Sequence, residues 1–252
     1  MPNQKLKRVI PAIFRQSEVL NTLLPPKPEK FSFGTSMDMY VGGFFGFKHE
    51  ELCSAHAASY LQLSKQFEIF DVELNKLNET ANSIRKDLGD NPSLEDMEGF
   101  NYTYYKQLEL FTSREHFLNS VQSFTDQHFV IGLWVLVEQH ISKLLNIYKE
   151  KIEADFKIPY SWNDTIPLLN SLGVNTDESL PIYQNINELR VLNNKLKHLN
   201  MVDNKLSEFP YFQDKKGKDL DKISLDLQRY SDNAFAFIYF IGEQLVVEDK
   251  LV

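Results

Sequence analysis

The residues of this chain best suited to chemistry lie in the segment ELRVLNNKLKHLN, residues 188–200. Arg190, Asn194 and His198 follow one another at four-residue steps, which places them on one face of a helix, with Lys197 beside them. An imidazole titrates near neutral pH and can move a proton, while a guanidinium or ammonium group can bind a phosphate. The spacing is therefore compatible with acid–base chemistry on a phosphate ester. It is equally typical of a solvated helix face whose histidine is structural.

An apolar face borders this polar one on the same predicted helix. Its residues recur at steps of three, four and seven: Ile182, Ile186, Leu189, Leu196 and Leu199. Because the two faces are neighbours, we expect the polar side chains to be partly buried.

Glu138 is a further candidate, because apolar residues surround it on another predicted helix. The residues seven and four before it and three and seven after it are Ile131, Trp134, Ile141 and Leu145. A carboxylate among such side chains is desolvated and needs a partner to remain charged. We expect Arg190 to be that partner, with Glu138 as structural support for the site. The alternative places Glu138 at a solvated helix edge.

No pattern in the sequence predicts a metal or a cofactor. The glycine-rich stretch at 42–46 lacks the Lys-Ser/Thr ending of a phosphate-binding loop. Cys53 is the only cysteine, so neither an internal disulfide nor a cysteine zinc site can form. This cysteine usage is typical of a reducing compartment, and we expect a cytoplasmic protein. The remaining histidines lack metal-ligand spacing: His49, His56, His116, His128 and His140.

Charge and hydropathy narrow the class of protein. The net charge of −8 argues against a general nucleic-acid coat protein. Residues 190–230 nevertheless carry nine Lys and Arg against six Asp and Glu, so a local basic surface is compatible with the acidic whole. The longest apolar runs, residues 129–137 and 234–241, are shorter than the roughly 20 residues of a membrane span. We therefore expect buried helix segments and no membrane.

Helical periodicity dominates the chain and predicts a mostly α fold. Predicted helices cover about residues 5–24, 49–88, 112–156, 165–172, 180–200 and 228–247. Ser93 is a predicted N-cap, and residues 112–115 fit a capping box that opens the longest helix. Glycines and alternating aromatics at 31–48 predict a loop or small β-hairpin, and residues 203–227 predict a loop with a short strand at 223–227.

Three pieces of the C-terminal half resemble the HEPN superfamily of prokaryotic helical proteins. They are a long helix with an embedded glutamate, LWVLVEQHISKLL; a short helix around Trp162 and Gly173; and ELRVLNNKLKHLN, whose Asn194 and His198 resemble the N-x-x-x-H part of the HEPN motif. The resemblance covers about residues 115–252 and implies a HEPN-like helical bundle at 111–252. Residues 1–110 then form an N-terminal helical region with an aromatic and glycine-rich loop.

Many HEPN proteins are metal-independent endoribonucleases of toxin or anti-phage defence systems, and the resemblance implies that function here. His198 would act as general base or acid, Arg190 or Lys197 would stabilise charge on the phosphoryl group, and Asn194 would orient the histidine or a phosphate oxygen. The implied partners are RNA and a second copy of the chain or an antitoxin-like protein.

One feature departs from the HEPN pattern. That pattern places four to six residues between an Arg and the His, whereas seven residues separate Arg190 from His198. The alternative to a nuclease is a non-catalytic HEPN-like module that binds a partner protein, in which the polar face of the helix is a structural network.

Overall fold

The computed structural model describes residues 44–89 and 92–245, which are almost entirely helical. The α-helices of this part are α1 Gly46–Asp87, α2 Leu94–Lys151, α3 Trp162–Ser171, α4 Pro181–His198 and α5 Leu227–Gln244. The prediction of a mostly α protein is confirmed. The helix predicted at 5–24 and residues 31–43 of the predicted loop or hairpin lie outside the described residues. Residues 44–48 of that predicted loop or hairpin are helical, so the prediction is wrong there.

Local capping explains where two helices begin. The Ser93 hydroxyl accepts a hydrogen bond from the Asp96 backbone N–H at 3.1 Å, which confirms Ser93 as the N-cap of α2. The Ser161 hydroxyl caps α3 in the same way, through the backbone N–H of Asp164 at 3.2 Å. Gly173 follows α3 with a φ of +88°, a left-handed conformation that favours glycine after a helix.

The predicted capping box at residues 112–115 is wrong. α2 passes through these residues without interruption, and the Thr112 hydroxyl donates to the Leu108 carbonyl of its own helix at 2.9 Å. Arg114, read as part of the box, instead forms an ion pair with Glu73 of α1. A capping pattern inside a helix-forming stretch has no effect when packing continues the helix through it. α2 is therefore also continuous across residues 110 and 111, the predicted boundary between two regions.

The segment between α4 and α5 contains no strand, contrary to the prediction for residues 223–227. It consists of three short 3₁₀ helices, Leu206–Glu208, Pro210–Lys215 and Leu220–Lys222, and α5 already begins at Leu227. One isolated bridge joins Met201 to Asp219. The alternating apolar residues are used differently: Leu225 and Leu227 are both buried in the helical core. Alternation over so few residues did not distinguish a strand from a loop that covers a core.

The described residues fall into two compact units, to which α1 and α2 both contribute. The first contains residues 57–89 and 92–125. Its small core consists of Leu63, Phe67 and Phe70 from α1 and Leu118 from α2. Polar contacts also link the two helices within this unit: Gln122 donates to the Tyr60 hydroxyl at 3.1 Å, and Tyr104 donates to Asn78 at 3.0 Å.

The second unit contains residues 44–56 and 126–245 and holds the larger core. α4 and α5 pack against each other there, and α5 is buried along most of its length. Aromatic contacts fix the position of α3, because Trp162 lies 5.3 Å from Trp134 and 5.8 Å from Phe237, measured between ring centroids. The second unit therefore brings α3, α4 and the start of α5 together.

The two apolar runs at 129–137 and 234–241, predicted to be buried helix segments, both pack into this core. Val130, Leu133 and Val137 are fully buried in α2, and Ala234 and Ile241 are fully buried in α5. By length and composition α2 is apolar enough to cross a membrane, and 44% of its 18-residue apolar window is buried inside the protein. The core helices of soluble proteins have the same property.

A buried hydrogen-bonded cluster joins the start of α1 to α5. The Ser231 hydroxyl lies 2.8 Å from Nε2 of His49 and 3.4 Å from Sγ of Cys53. His49 and Ser231 are both buried, and burial lowers the pKa of His49 to about 4 although the Ser231 carbonyl opposes the shift. The serine–histidine pair is closed off from solvent, so its role is structural. Asp232, the next residue, has a pKa raised to about 6 by burial.

These two groups give opposite pH dependences. Between pH 6.5 and about 4 the unfolded chain protonates His49 and the folded chain does not, so acidification destabilises the fold. Between about 6 and 3.8 the folded chain protonates Asp232 and the unfolded chain does not, so acidification stabilises it.

We therefore expect Asp232→Asn to be more acid-sensitive than the wild-type protein. From about pH 7 to about pH 4.5 its free energy of unfolding should lose up to about 2.5 kcal/mol through His49, while the wild-type loses less. Chemical denaturation at both pH values measures the difference, and adding His49→Gln to the variant should remove most of it. Equal pH dependences for Asp232→Asn and wild type would contradict the assignment.

Candidate functional site

A cleft of about 1060 Å³ lies in the second unit, at the junction of α3, α4, the 3₁₀ segment and the start of α5. Its lining combines aromatic rings, side-chain amides and charged groups. The aromatic rings belong to Trp162, Tyr183, Phe209 and Tyr211; the amides to Asn163, Gln184, Asn185 and Asn187; the charged groups to Glu178, Glu188, Arg190, Glu208, Asp226 and Arg229.

An ion pair between a buried carboxylate and a half-buried guanidinium forms one side of the cleft. Arg229 donates two hydrogen bonds to Glu188, from Nη1 to Oε2 at 3.1 Å and from Nη2 to Oε1 at 2.6 Å. The Tyr230 hydroxyl donates a third to Glu188 Oε1 at 2.7 Å. Glu188 is 3% exposed, so these donors compensate a charge that has left water. The pair joins α4 to the first turn of α5.

Aromatic rings hold the Arg229 guanidinium in place. Its central carbon lies 5.2 Å from the ring centroid of Tyr211 and 4.7 Å from that of Tyr230, within cation–π range. Asp226 adds an ion pair at 3.5 Å and also caps α5. Burial alone would lower the pKa of Arg229, but the hydrogen bonds with Glu188 and the surrounding negative charge raise it above its ordinary value. Arg229 is therefore a fixed cation.

The cleft as a whole is acidic. Its four carboxylates outnumber its two guanidinium groups, which leaves a formal charge of −2. Glu178, Glu208 and Asp226 are exposed, and Asp226 alone of the three has an ion pair. Neither Glu178 nor Glu208 forms a side-chain hydrogen bond or ion pair within the described part of the chain.

Arg190 is half-buried in the cleft and faces away from His198. Its Nε and Nη2 atoms both donate to Oδ1 of Asn187, at 3.0 and 2.7 Å. Asn187 is one turn closer to the start of α4, whereas His198 is the last residue of α4. Burial lowers the pKa of Arg190, and the charge of Glu178 opposes that shift. The side chain thus belongs to the cleft and not to the end of the helix.

Glu138 does not pair with Arg190, so the predicted ion pair is wrong. Glu138 is exposed to solvent on α2. Glu138, Arg190 and Asn194 do line one small cavity of about 250 Å³, together with Trp134, Tyr160, Ser161, Trp162 and Asn163. Trp134, Ile141 and Leu145 are buried as expected and Ile131 is partly buried. The Glu138 carboxylate nevertheless opens onto this cavity, where water can solvate it.

Three cavities adjoin along this face of the second unit. The large cleft and the 250 Å³ cavity share Trp162, Asn163 and Arg190. A third cavity, of about 410 Å³, shares Glu138, Tyr160 and Trp162 with the second. Tyr160 is 97% exposed at this end. We call the three cavities together the groove.

His198 and Lys197 lie outside the groove, exposed at the end of α4. Neither side chain forms a hydrogen bond or an ion pair with any residue of the described ranges. Asn194 is also exposed; it lines the small cavity and accepts a weak hydrogen bond from Asn193 at 3.4 Å. The structure therefore brings Arg190 and Asn194 to one cavity and leaves His198 and Lys197 at a separate surface.

A basic turn lies beside the segment that leaves α4. The Val202 amide donates to the Lys218 carbonyl at 3.0 Å, and the Gly217 amide donates to the Val202 carbonyl at 2.8 Å. The exposed side chains of Lys216 and Lys218 are without ion-pair partners in the part of the chain that the structure describes. Lys195 is different, since it pairs with Asp203 at 2.6 Å.

Tyr183 has a buried hydroxyl with an unmet hydrogen-bonding need. The residue lines the large cleft and is 3% exposed, and its hydroxyl has no hydrogen-bond partner among the described residues. Its ring makes an edge contact with Phe237 at 5.3 Å. Burial raises the pKa of Tyr183, so the group remains a neutral donor. Buried polar groups without a partner are uncommon in folded proteins and call for an explanation.

Sequence reasoning missed Glu188 and Arg229, although part of their signal was present. Val191 and Leu192 lie three and four residues after Glu188, so the next turn of the helix on the same face is apolar, a pattern that predicts partial burial of Glu188. Arg229 is 41 residues further along the chain, beyond the reach of any helical spacing. The 3₁₀ segment that supplies Phe209 and Tyr211 carried no periodic signal.

No group of three or more His, Cys, Asp or Glu side chains in the described residues is arranged to hold a metal ion. Comparison of the chain with family models, with curated proteins and with solved structures finds no match. The resemblance to the HEPN superfamily therefore stays a prediction that rests on the sequence motifs alone.

The ion pair between Glu188 and Arg229 should contribute measurably to the free energy of unfolding. Arg229→Ala should reduce the free energy of unfolding by about 3–5 kcal/mol, because it leaves Glu188 buried without its cation. Arg190→Ala is the matched control and should cost about 1 kcal/mol, since it removes only the hydrogen bonds to Asn187.

Both variants are measured by chemical denaturation. Adding Glu188→Gln to Arg229→Ala should recover part of the loss, because the uncompensated charge is then gone. Equal costs for Arg229→Ala and Arg190→Ala would show that the buried Glu188 carboxylate does not need Arg229 as its counter-ion.

Proposed function

We propose that this protein is a non-catalytic, HEPN-like interaction module that binds a segment of a partner protein in the groove. The observation that supports this most strongly is the large cleft itself. It is concave, it has aromatic walls, and the Glu188–Arg229 pair fixes one side of it. Pre-formed clefts with a few placed polar groups are the usual sites of ligand recognition.

The direction of Arg190 favours binding over catalysis. A nuclease centre needs the histidine and a cation at one phosphate, yet His198 lies eight positions after Arg190 on α4, which is about 12 Å along the helix axis. The bonds to Asn187 turn the guanidinium further toward the start of the helix. The acidic lining of the cleft would also repel a phosphate.

The shape of the groove favours an extended peptide over a compact small molecule. Three cavities of about 1060, 250 and 410 Å³ follow one another through shared lining residues. The amides along the large cleft offer donors and acceptors of the kind that an extended main chain requires. A partner segment can therefore make main-chain contacts in the cleft while its side chains enter the smaller cavities.

A displayed library of random nonapeptides tests this function. Clones selected on the wild-type protein should lose about tenfold or more in affinity for Asn163→Trp, whose indole would fill the junction of two cavities, a loss of roughly 1.4 kcal/mol. Asn170→Trp is the matched control, because it makes the same change at an exposed position of α3 that lines none of the three cavities. Selection of no clone that distinguishes the two variants would refute the proposal.

Metal-independent RNA cleavage is the second candidate function, and the exposure of His198 favours it. His198 and Lys197 are accessible, and the Lys216–Lys218 turn borders the segment that leaves α4. His198 would act as the acid or base toward the RNA 2′-hydroxyl and the leaving oxygen, and the lysines would bind phosphates. Such cleavage would leave a 2′,3′-cyclic phosphate.

RNA cleavage in the presence of a chelator tests this second function. Activity should persist in the chelator and disappear in His198→Ala, whose melting temperature should stay close to wild type because His198 is exposed. His116→Ala, a change of the same kind on α2, should keep full activity. Lys197→Ala should weaken RNA binding and flatten its salt dependence. A wild-type protein that cleaves no RNA, with or without added metals, excludes this candidate.

A further inference from the structure

We infer that the large cleft recognises a lysine or arginine side chain carried by an extended peptide segment of a partner protein. This inference rests on the proposed binding function and names the chemistry of the partner. Three features of the cleft converge on it: carboxylates without bound cations, aromatic rings beside them, and a buried hydroxyl that has no partner.

The carboxylates supply the charge. Glu178 and Glu208 are exposed at the cleft and form no side-chain hydrogen bond or ion pair with the described residues. Asp226 is also exposed. It pairs only with Nε of Arg229, because both terminal nitrogens of that guanidinium donate to Glu188. The formal charge of −2 therefore remains available to a cation from outside, and charge complementarity of this kind selects partners.

Aromatic rings in the cleft suit the same ligand. Phe209 and Trp162 are half-buried lining residues, so part of each side chain remains open. The cleft already holds one guanidinium in this manner, because Arg229 packs on Tyr211 at 5.2 Å beside Asp226. A second cation between a ring and a carboxylate would repeat that arrangement with Phe209 and Glu208, which are consecutive in the chain.

The Tyr183 hydroxyl and the amides suit the main chain of a peptide. Tyr183 is 97% buried, lines the cleft and has no hydrogen-bond partner within residues 44–89 and 92–245, so a peptide carbonyl or amide that reaches its hydroxyl would supply the missing partner. The amides of Asn163 and Gln184 lie along the same lining and are exposed. A bare polyamine would use the carboxylates but could not use this hydroxyl as a carbonyl does.

The experiment uses the full chain and the nonapeptide library. Peptides that depend on an open cleft, identified by comparing Asn163→Trp with Asn170→Trp, should be enriched in Lys or Arg at one or more fixed positions. Their affinity should fall about tenfold in the Glu178→Gln, Glu208→Gln double variant. The control is Glu150→Gln with Glu153→Gln, which makes the same charge change at exposed residues outside the groove and should leave the affinity unchanged.

A second variant tests the hydroxyl. Tyr183→Phe removes a hydroxyl that has no hydrogen-bond partner in the described part of the chain, so the melting temperature should stay the same or rise while the affinity for the enriched peptides falls several-fold. Spermidine, as a cation without a main chain, should bind wild type and Tyr183→Phe equally. A lower melting temperature for Tyr183→Phe would show that the hydroxyl is already satisfied and would remove it from the proposal.

The outcomes separate this inference from the proposed function. Cleft-dependent peptides without Lys or Arg enrichment, or with affinities that the double glutamine variant leaves unchanged, would overturn the cationic partner and keep the binding module. A library that yields no cleft-dependent peptide would overturn both. Cationic enrichment that the Glu178 and Glu208 changes abolish, and the control changes do not, would establish the inference.

Discussion

The bidentate ion pair between Glu188 and Arg229 constrains how α4 and α5 meet in the second unit. A carboxylate that is 3% exposed has lost its hydration, and only the two guanidinium bonds and the Tyr230 hydroxyl replace it. These groups come from α4 and the first turn of α5, so the need of the Glu188 carboxylate for hydrogen-bond donors constrains how the two helices pack. Glu188 and Arg229 also line the cleft, so the same interaction holds one wall of the cleft in place.

The helices were predictable because their signals are local. Periodicity located α1, α4 and α5 to within a few residues, and Ser93 identified the start of α2. The errors arose where a local signal met packing. The capping pattern at 112–115 does not start a new helix, because α2 runs through it without interruption. Of the alternating apolar residues at 223–227, Ile223 and Leu225 cover the core from a loop and Leu227 begins α5, so no strand forms.

The site was less predictable because its contacts join distant parts of the chain. The spacing of apolar residues showed that Glu138 lies next to a buried face, but not that the neighbouring surface is an open cavity. Likewise, four-residue steps placed Arg190, Asn194 and His198 on one face, whereas the Arg190 side chain extends back to Asn187. Helical spacing gives the face on which a residue lies, and the direction of a long side chain depends on which acceptor it finds.

The reactivity of Cys53 toward a thiol reagent can report the separation of the start of α1 from α5. Burial raises the pKa of its thiol to about 11, so very little of the nucleophilic thiolate exists at neutral pH, and the sulfur also contacts the Ser231 hydroxyl. Alkylation should therefore be slow in the folded chain, where Cys53 is half-buried, and should accelerate when the start of α1 separates from α5. Since the sequence contains no other cysteine, the rate of mass gain with a thiol reagent would time that separation without any label or substitution.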